Sequence, residues 1–274
     1  MNSQDALLCA KASKVVYDGK NASQILMASL GYTDSFTWIK LDKIFDEVCA
    51  FTVSSAKDNT TLLCFRGTSD PKDWMTDLAC TPVRYDWIFT GGPQIGEIHA
   101  GFGHCLSDGL KTIIKALGAP DSGRRLLVTG HSLGGALGAL AASCFSVYSP
   151  ALRPVDAVYT FGQPRIGLHE FCNTYDRILK GKLVRFVNKK DLVPRVPFRG
   201  WDYSDEGKMI HFDDNGNPVV ESAQWTNFLA RTLEGIKGFM EMISHLGADV
   251  GDHSMEGYEA LVEKRQGDIQ PLIS

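Results

Sequence analysis

An open α/β sheet, mostly parallel, flanked by helices and carrying an antiparallel N-terminal edge, is the fold class this sequence predicts. Three observations lead there. From Phe102 onward, short apolar runs rich in β-branched residues alternate with helical segments of about 10–15 residues. Before that point, strand-like runs are separated by turn residues alone, as in hairpins. The 274 residues are 44% hydrophobic and 22% charged, a composition that excludes disorder. At roughly 150 residues per domain the length allows one or two units, and we expect one α/β domain over residues 1–274.

The elements follow in order. Ala6 to Tyr17 has helical apolar spacing after a Ser3-Gln4-Asp5 start, and Ala22 to Leu30 is a second short helix closed by Gly31. Phe36 to Leu41 and Glu47 to Ser54 read as strands; the turn Lys57-Asp58-Asn59 then leads into a third, Thr60 to Phe65. A helix from about Phe102 to Leu117 precedes the strand Arg125 to Thr129 and a small-residue helix, Leu133 to Tyr148. Val155 to Phe161, His169 to Leu179 and Leu183 to Asn188 continue as strand, helix and strand. Open sheets of this kind bind ligands beyond the carboxyl ends of their strands, so chemistry belongs in the loops after Phe65, Thr129, Phe161 and Asn188.

Charge and composition exclude several classes. Lys+Arg is 28 against Asp+Glu 32, a net charge of −4, without the basic excess of a nucleic-acid binder. No stretch reaches the ~18 consecutive apolar residues of a membrane span, and no signal-peptide core follows the N-terminus, where Lys11 and Lys14 interrupt the apolar residues. Seven cysteines are spread singly, as expected of reduced, buried thiols rather than a disulfide frame or zinc site. The expectation is a cytoplasmic protein, with export by a route lacking an N-terminal signal left open.

The strongest local signal is Gly130-His131-Ser132-Leu133-Gly134-Gly135. The pattern GxSxG is weak by itself, but here a buried strand ends at Gly130 and a helix starts directly after Ser132. A serine on such a turn adopts a strained backbone, and the flanking glycines remove clashes that a Cβ would create. The following helix aims its N-terminal N–H groups at developing negative charge. Ser132 is therefore the candidate nucleophile. A serine hydroxyl needs a proton acceptor, usually a histidine. In this architecture the order is Ser, then Asp or Glu, then His, which leaves His211, His245 and His253. His211 lies in a strand-like run and His245 ends an amphipathic stretch, whereas His253 occupies the irregular loop Gly251 to Ser254 before a final helix. His253 is preferred. Asp191 stands just past the strand Val184 to Val187, at its carboxyl end, with Asp202 and Asp205 as rivals. Asp156 starts a strand, at the wrong end, and Asp176 reads as a solvated helix residue.

Taken together, the sequence resembles the class 3 lipases, a family with the α/β-hydrolase fold. The resemblance rests on Phe65-Arg66-Gly67-Thr68, Asp73-Trp74, His99-Ala100-Gly101-Phe102, Gly130 to Gly135, Phe161-Gly162-Gln163-Pro164-Arg165-Ile166-Gly167, Asn188 to Pro197 and Asp252-His253, in the family's order. It implies Ser132 as nucleophile, Asp191 as orienting acid and His253 as base. It also implies an oxyanion hole at Thr68 and Leu133, and a lid over residues 69–81 in which Trp74, Met75 and Leu78 share one helical face. No metal or organic cofactor is implied. The expected partner is an ester or lipid substrate met at a lipid–water interface. Acylglycerol hydrolysis is the leading reading; carboxylesterase, feruloyl-type or phospholipase A1 activity is the alternative, and a non-catalytic scaffold is the reading from a different class. The apolar stripe Trp225 to Leu246 is core or the wall of an acyl groove.

Overall fold

Each central strand alternates its side chains between two apolar layers, and that period of two builds the sheet. Leu63, Phe65, Leu126 and Val128 face one layer, whereas Leu62, Cys64 and Leu127 face the other. The computed structural model describes residues 1–41, 49–68, 81–88, 93–118, 123–148, 154–197, 199–220 and 251–274. In chain order the helices are α1 (Ser3–Val15), α2 (Gly19–Ser29), α3 (Ala100–Leu117), α4 (Leu133–Val147), α5 (His169–Leu179), α6 (Met255–Lys264) and α7 (Gln266–Ile273). The main-sheet strands are β1 (Ser35–Lys40), β2 (Cys49–Ser55), β3 (Thr60–Phe65), β6 (Arg125–His131), β7 (Ala157–Phe161), β9 (Leu183–Asn188), β11 (Lys208–Phe212) and β12 (Pro218–Val220). Between them lie four short strands, β4 (Pro82–Arg84), β5 (Glu97–His99), β8 (Gly167–Leu168) and β10 (Tyr203–Ser204).

The main sheet runs β1-β2-β3-β6-β7-β9-β11-β12. Strands β3, β6, β7, β9 and β11 pair in parallel. The β1–β2 and β2–β3 pairs are antiparallel, as the turn-linked N-terminal runs require. The second sheet, β10-β8-β5-β4, is antiparallel and has no counterpart in the sequence reading, because two- and three-residue strands carry no measurable alternation. Strand β6 also continues two residues beyond the expected Thr129, to His131.

One face of the sheet is covered by α3, α4 and α5, with Phe102, Leu106, Leu137, Leu140, Phe171 and Tyr175 in the layer. The small residues of α4 let it lie close to the strands: a Cβ on Gly138 would sit 3.4 Å from Thr129 O and Val128 Cγ1. The opposite face is covered by α1, α6 and α7, which bury Ala6, Cys9, Ala10, Tyr258, Val262, Ile269 and Ile273. There Phe161, Phe186 and Phe212 stack across adjacent strands at 5.3 and 6.0 Å between ring centroids, and Tyr258 meets Phe161 edge-on at 6.1 Å. This aromatic row seats α6, and with it the loop that carries His253. Salt bridges Lys14–Glu259 (2.7 Å) and Lys11–Glu263 (3.4 Å) tie α1 to α6.

The cysteines at 9, 49, 64, 105, 144 and 172 are buried free thiols, while Cys80 lies outside the described residues. Among the described residues no helix is long and apolar enough to cross a membrane.

Candidate active site

Ser132 sits where β6 turns into α4, with φ 57° and ψ −129°, a backbone state rarely adopted by residues other than glycine. The tight turn closes because the residues two positions either side, Gly130 and Gly134, have no side chains. A Cβ on Gly130 would lie 2.4 Å from Gly134 C and O, and one on Gly134 would lie 2.5 Å from Phe65 O. The turn is locked by Ser132 N–H donating to Phe161 O (3.0 Å) and by Gly135 N–H donating to Ser132 O (2.9 Å). A serine before a helix ordinarily spends its hydroxyl capping the first turn. Here it makes no capping bond, and Ser132 Oγ is buried with no hydrogen-bond partner among the described residues.

His253 approaches from the loop before α6. Its Nδ1 donates to Asp191 Oδ2 at 2.8 Å, with both side chains buried. Asp191 lies just past β9, as the sequence predicts, and is held on three sides. Oδ1 accepts from Val193 N–H (3.0 Å), and Oδ2 accepts from the Tyr258 hydroxyl (2.5 Å) as well as from His253. Burial and the Asp191 charge push the Tyr258 hydroxyl well above its ordinary range, so it keeps its proton and donates it. The loop is pinned again by Asn188 Nδ2 donating to Asp252 O (2.9 Å).

Two links bring this pair to the serine. The His131 ring lies against the His253 ring, centroids 4.5 Å apart, and Ser132 is the next residue. Gly162, adjacent to the Phe161 carbonyl that holds Ser132, is pressed against the pair: a Cβ there would lie 2.8 Å from His253 Cε1 and 3.0 Å from Asp191 Oδ2. Like Ser132 Oγ, His253 Nε2 is buried without a hydrogen-bond partner among the described residues. The bond between these two atoms is unmade in this structure.

The loop after β3 packs on the first turn of α4. A Cβ on Gly67 would lie 2.8 Å from His131 O and 3.3 Å from Gly134 N. Thr68 and Leu133, the next residue to Gly67 and the one before Gly134, therefore flank one tight backbone contact. Residues 69–80, including Trp74, Met75 and Leu78, lie outside the described residues, as does the stretch Trp225 to Leu246 that ends beside His245.

The rival residues have other occupations. His211 Nε2 donates to Lys189 O (2.7 Å), and Asp156 accepts from Leu126 N–H (2.8 Å) at the amino end of the sheet. Asp202 is exposed in a turn with φ 65°. Asp176 is exposed on α5, in line with the solvated reading, and accepts from Gly207 N–H at 2.7 Å. Asp205 is bound by Arg165 (3.0 Å), Arg185 (3.0 Å) and Arg199 (2.6 Å), whose charges overcome burial and hold its carboxyl far below the usual range. Beside it, Glu206 accepts from Gln163 Nε2 and so supports the loop that carries Gly162.

Burial lifts the Glu206 carboxyl to about 7, against the pull of Arg185 at 3.8 Å. The folded protein then holds a proton that the unfolded chain sheds near pH 4.5, so stability is lost as pH rises from about 4.5 to about 7. Glu206→Gln removes this titration. Thermal unfolding followed against pH flattens over that window, by on the order of 3 kcal/mol at most; an unchanged slope would assign the proton to another group.

Comparison with known proteins gives a consistent picture. Residues 62–201 match the family model described as "Lipase (class 3)". The chain is 28% identical over 224 residues to a lipase of Rhizomucor miehei, covering 78% of this chain and 59% of that protein. It is 26% identical over 260 residues to the triacylglycerol lipase OBL1 of Arabidopsis thaliana, covering 75% of this chain and 48% of that protein. The chain thus spans roughly half to three-fifths of these curated relatives. Among solved structures, the triacylglyceride lipase of Rhizomucor miehei superposes with a TM-score of 0.63 at 24% identity, over 85% of this chain and 90% of that one.

Proposed function

Because the chain belongs to the class 3 lipases and has their α/β-hydrolase fold, we propose that it is a serine carboxylic-ester hydrolase acting on acylglycerols through an acyl-enzyme. The observation that carries this reading is the buried Asp191–His253 pair, 2.8 Å long, set against a strained serine whose hydroxyl is uncommitted.

The chemistry follows from the geometry. Asp191 accepts the Nδ1 proton, so neutral His253 presents a lone pair at Nε2. As Ser132 Oγ attacks the ester carbonyl, its proton passes to Nε2 and the carbonyl electron pair moves onto oxygen. The N–H groups of Thr68 and Leu133 stabilise that oxyanion, and the amino end of α4 adds its dipole. Collapse of the tetrahedral species breaks the C–O bond to the alcohol, which leaves with the proton from Nε2. Water then repeats the sequence on the acyl-enzyme, His253 accepting its proton, and frees the acid and Ser132.

The names of the relatives favour a lipid ester over a small soluble one. A series of p-nitrophenyl esters of rising chain length, each with and without an emulsion interface, tests the substrate class. We expect turnover to rise with chain length and to increase at the interface. Preference for short esters with no interfacial gain would instead assign a carboxylesterase.

A further inference from the structure

His131 and Tyr17 take no part in the proton transfers above, yet His131 is buried, Tyr17 is half-buried, and both are joined to the site from behind. His131 Nε2 lies 2.8 Å from the His253 carbonyl oxygen, and its Nδ1 lies 3.0 Å from the Tyr17 hydroxyl. The Tyr17 oxygen in turn lies against the Gly67 backbone: a Cβ at Gly67 would come within 2.7 Å of it.

The direction of every bond in this chain is fixed by elimination. A carbonyl only accepts, so Nε2 of His131 must carry the proton. Burial and the neighbouring His253 keep His131 neutral, which leaves Nδ1 as an acceptor. The Tyr17 hydroxyl must therefore donate to Nδ1, while its oxygen rests against the Gly67 backbone. Tyr17 has no freedom to swing away. Arg66 lies over its ring at 5.5 Å, His131 meets the ring edge-on at 5.8 Å, and Ser13 Oγ of the preceding helix bonds Thr129 Oγ1 at 2.9 Å.

We propose that Tyr17 and His131 act as one pair of positioning residues, a hydrogen-bonded strut that sets the distance between the loop carrying Thr68 and the loop carrying His253. The proposal rests on the hydrolase reading above. In that reaction a single substrate carbonyl must be gripped by the Thr68 side and served by the His253 side at once. The strut ends on Gly67, beside Thr68, and on the backbone of His253 itself. Its loss leaves substrate access untouched and loosens the geometry of attack.

The test is kinetic and spectroscopic. Tyr17→Phe is expected to lower kcat on a p-nitrophenyl ester by roughly tenfold to a hundredfold, with KM within about twofold. His131→Gln is expected to do the same, and the double variant to lose no more than the worse single one, since either change breaks the same strut. A residue that only anchors α1 would lower the melting temperature without this split and without non-additivity. Nitrogen-15 NMR of labelled histidine gives a readout independent of turnover: His131 is expected as the neutral Nε2–H tautomer, with an Nδ1 shift that loses its hydrogen-bonded character in Tyr17→Phe. A kcat for Tyr17→Phe within twofold of wild type, multiplicative losses in the double variant, or an Nδ1–H tautomer for His131 would each overturn the proposal. If the wild-type protein hydrolyses no ester, the hydrolase reading fails, while the tautomer measurement still decides the strut.

Discussion

Ser132→Ala will bring ester hydrolysis to near background, a fall on the order of 10⁴–10⁶-fold in kcat/KM, in a protein whose thermal stability is unchanged within about 0.5 kcal/mol. Both halves of that result come from the same observation. The hydroxyl makes no hydrogen bond among the described residues, so its deletion leaves no buried partner there unsatisfied. The turn is held by backbone bonds to Phe161 and from Gly135, which alanine keeps, and alanine bears the same strain at φ 57°. Loss of labelling by a fluorophosphonate probe, together with an unchanged melting curve, checks both halves in one preparation. Retained turnover in this variant would remove Ser132 from the mechanism.

Asp191→Asn is expected to cost about 10⁴-fold in kcat, for a reason visible in the three donors that converge on the carboxylate. His253 Nδ1–H and the Tyr258 hydroxyl both donate to Oδ2, and Val193 N–H donates to Oδ1. An asparagine has only one acceptor oxygen to offer. If that oxygen faces Val193, the amide NH₂ faces His253 and selects the tautomer with its proton on Nε2, which cannot accept from Ser132. If the amide is turned over, its NH₂ meets Val193 N–H and a buried donor is left unpaired. Either way a penalty falls on catalysis or on stability. A kcat within tenfold of wild type, with the variant folded, would show that His253 does not depend on Asp191 for its orientation.

Much of this arrangement was legible before any coordinates. The parallel strands announce themselves through apolar runs, and His169–Leu179 and Leu183–Asn188 fall on the expected residues because each is bounded by a clear break. Ser132 is legible because strand, glycines and helix crowd one short motif. Asp191 and His253 follow from where they stand relative to their elements, and the structure brings them within hydrogen-bond distance. Other residues were hidden for identifiable reasons. Tyr258 falls in an apolar series with Met255 and Val262, so it reads as core, and only the fold shows its hydroxyl reaching Asp191. Tyr17 belongs to a segment with no motif of its own, and its link to His131 spans more than a hundred residues. The β4–β5–β8–β10 sheet was unreadable because its strands are too short to show a period.

The clasp between α1 and the C-terminal helices has a consequence for biogenesis. Ser3 N–H donates to Gln270 Oε1 across 267 positions, and Lys14 reaches Glu259 across 245. Contacts of that span close late in folding, after the entropy of a long loop has been overcome. A nascent chain that has emerged only as far as Asp191 would expose the serine but lack the imidazole, and His131 would have no His253 carbonyl to reach. On the hydrolase reading proposed above, catalysis waits until synthesis has passed His253 and the clasp partners on α6 and α7.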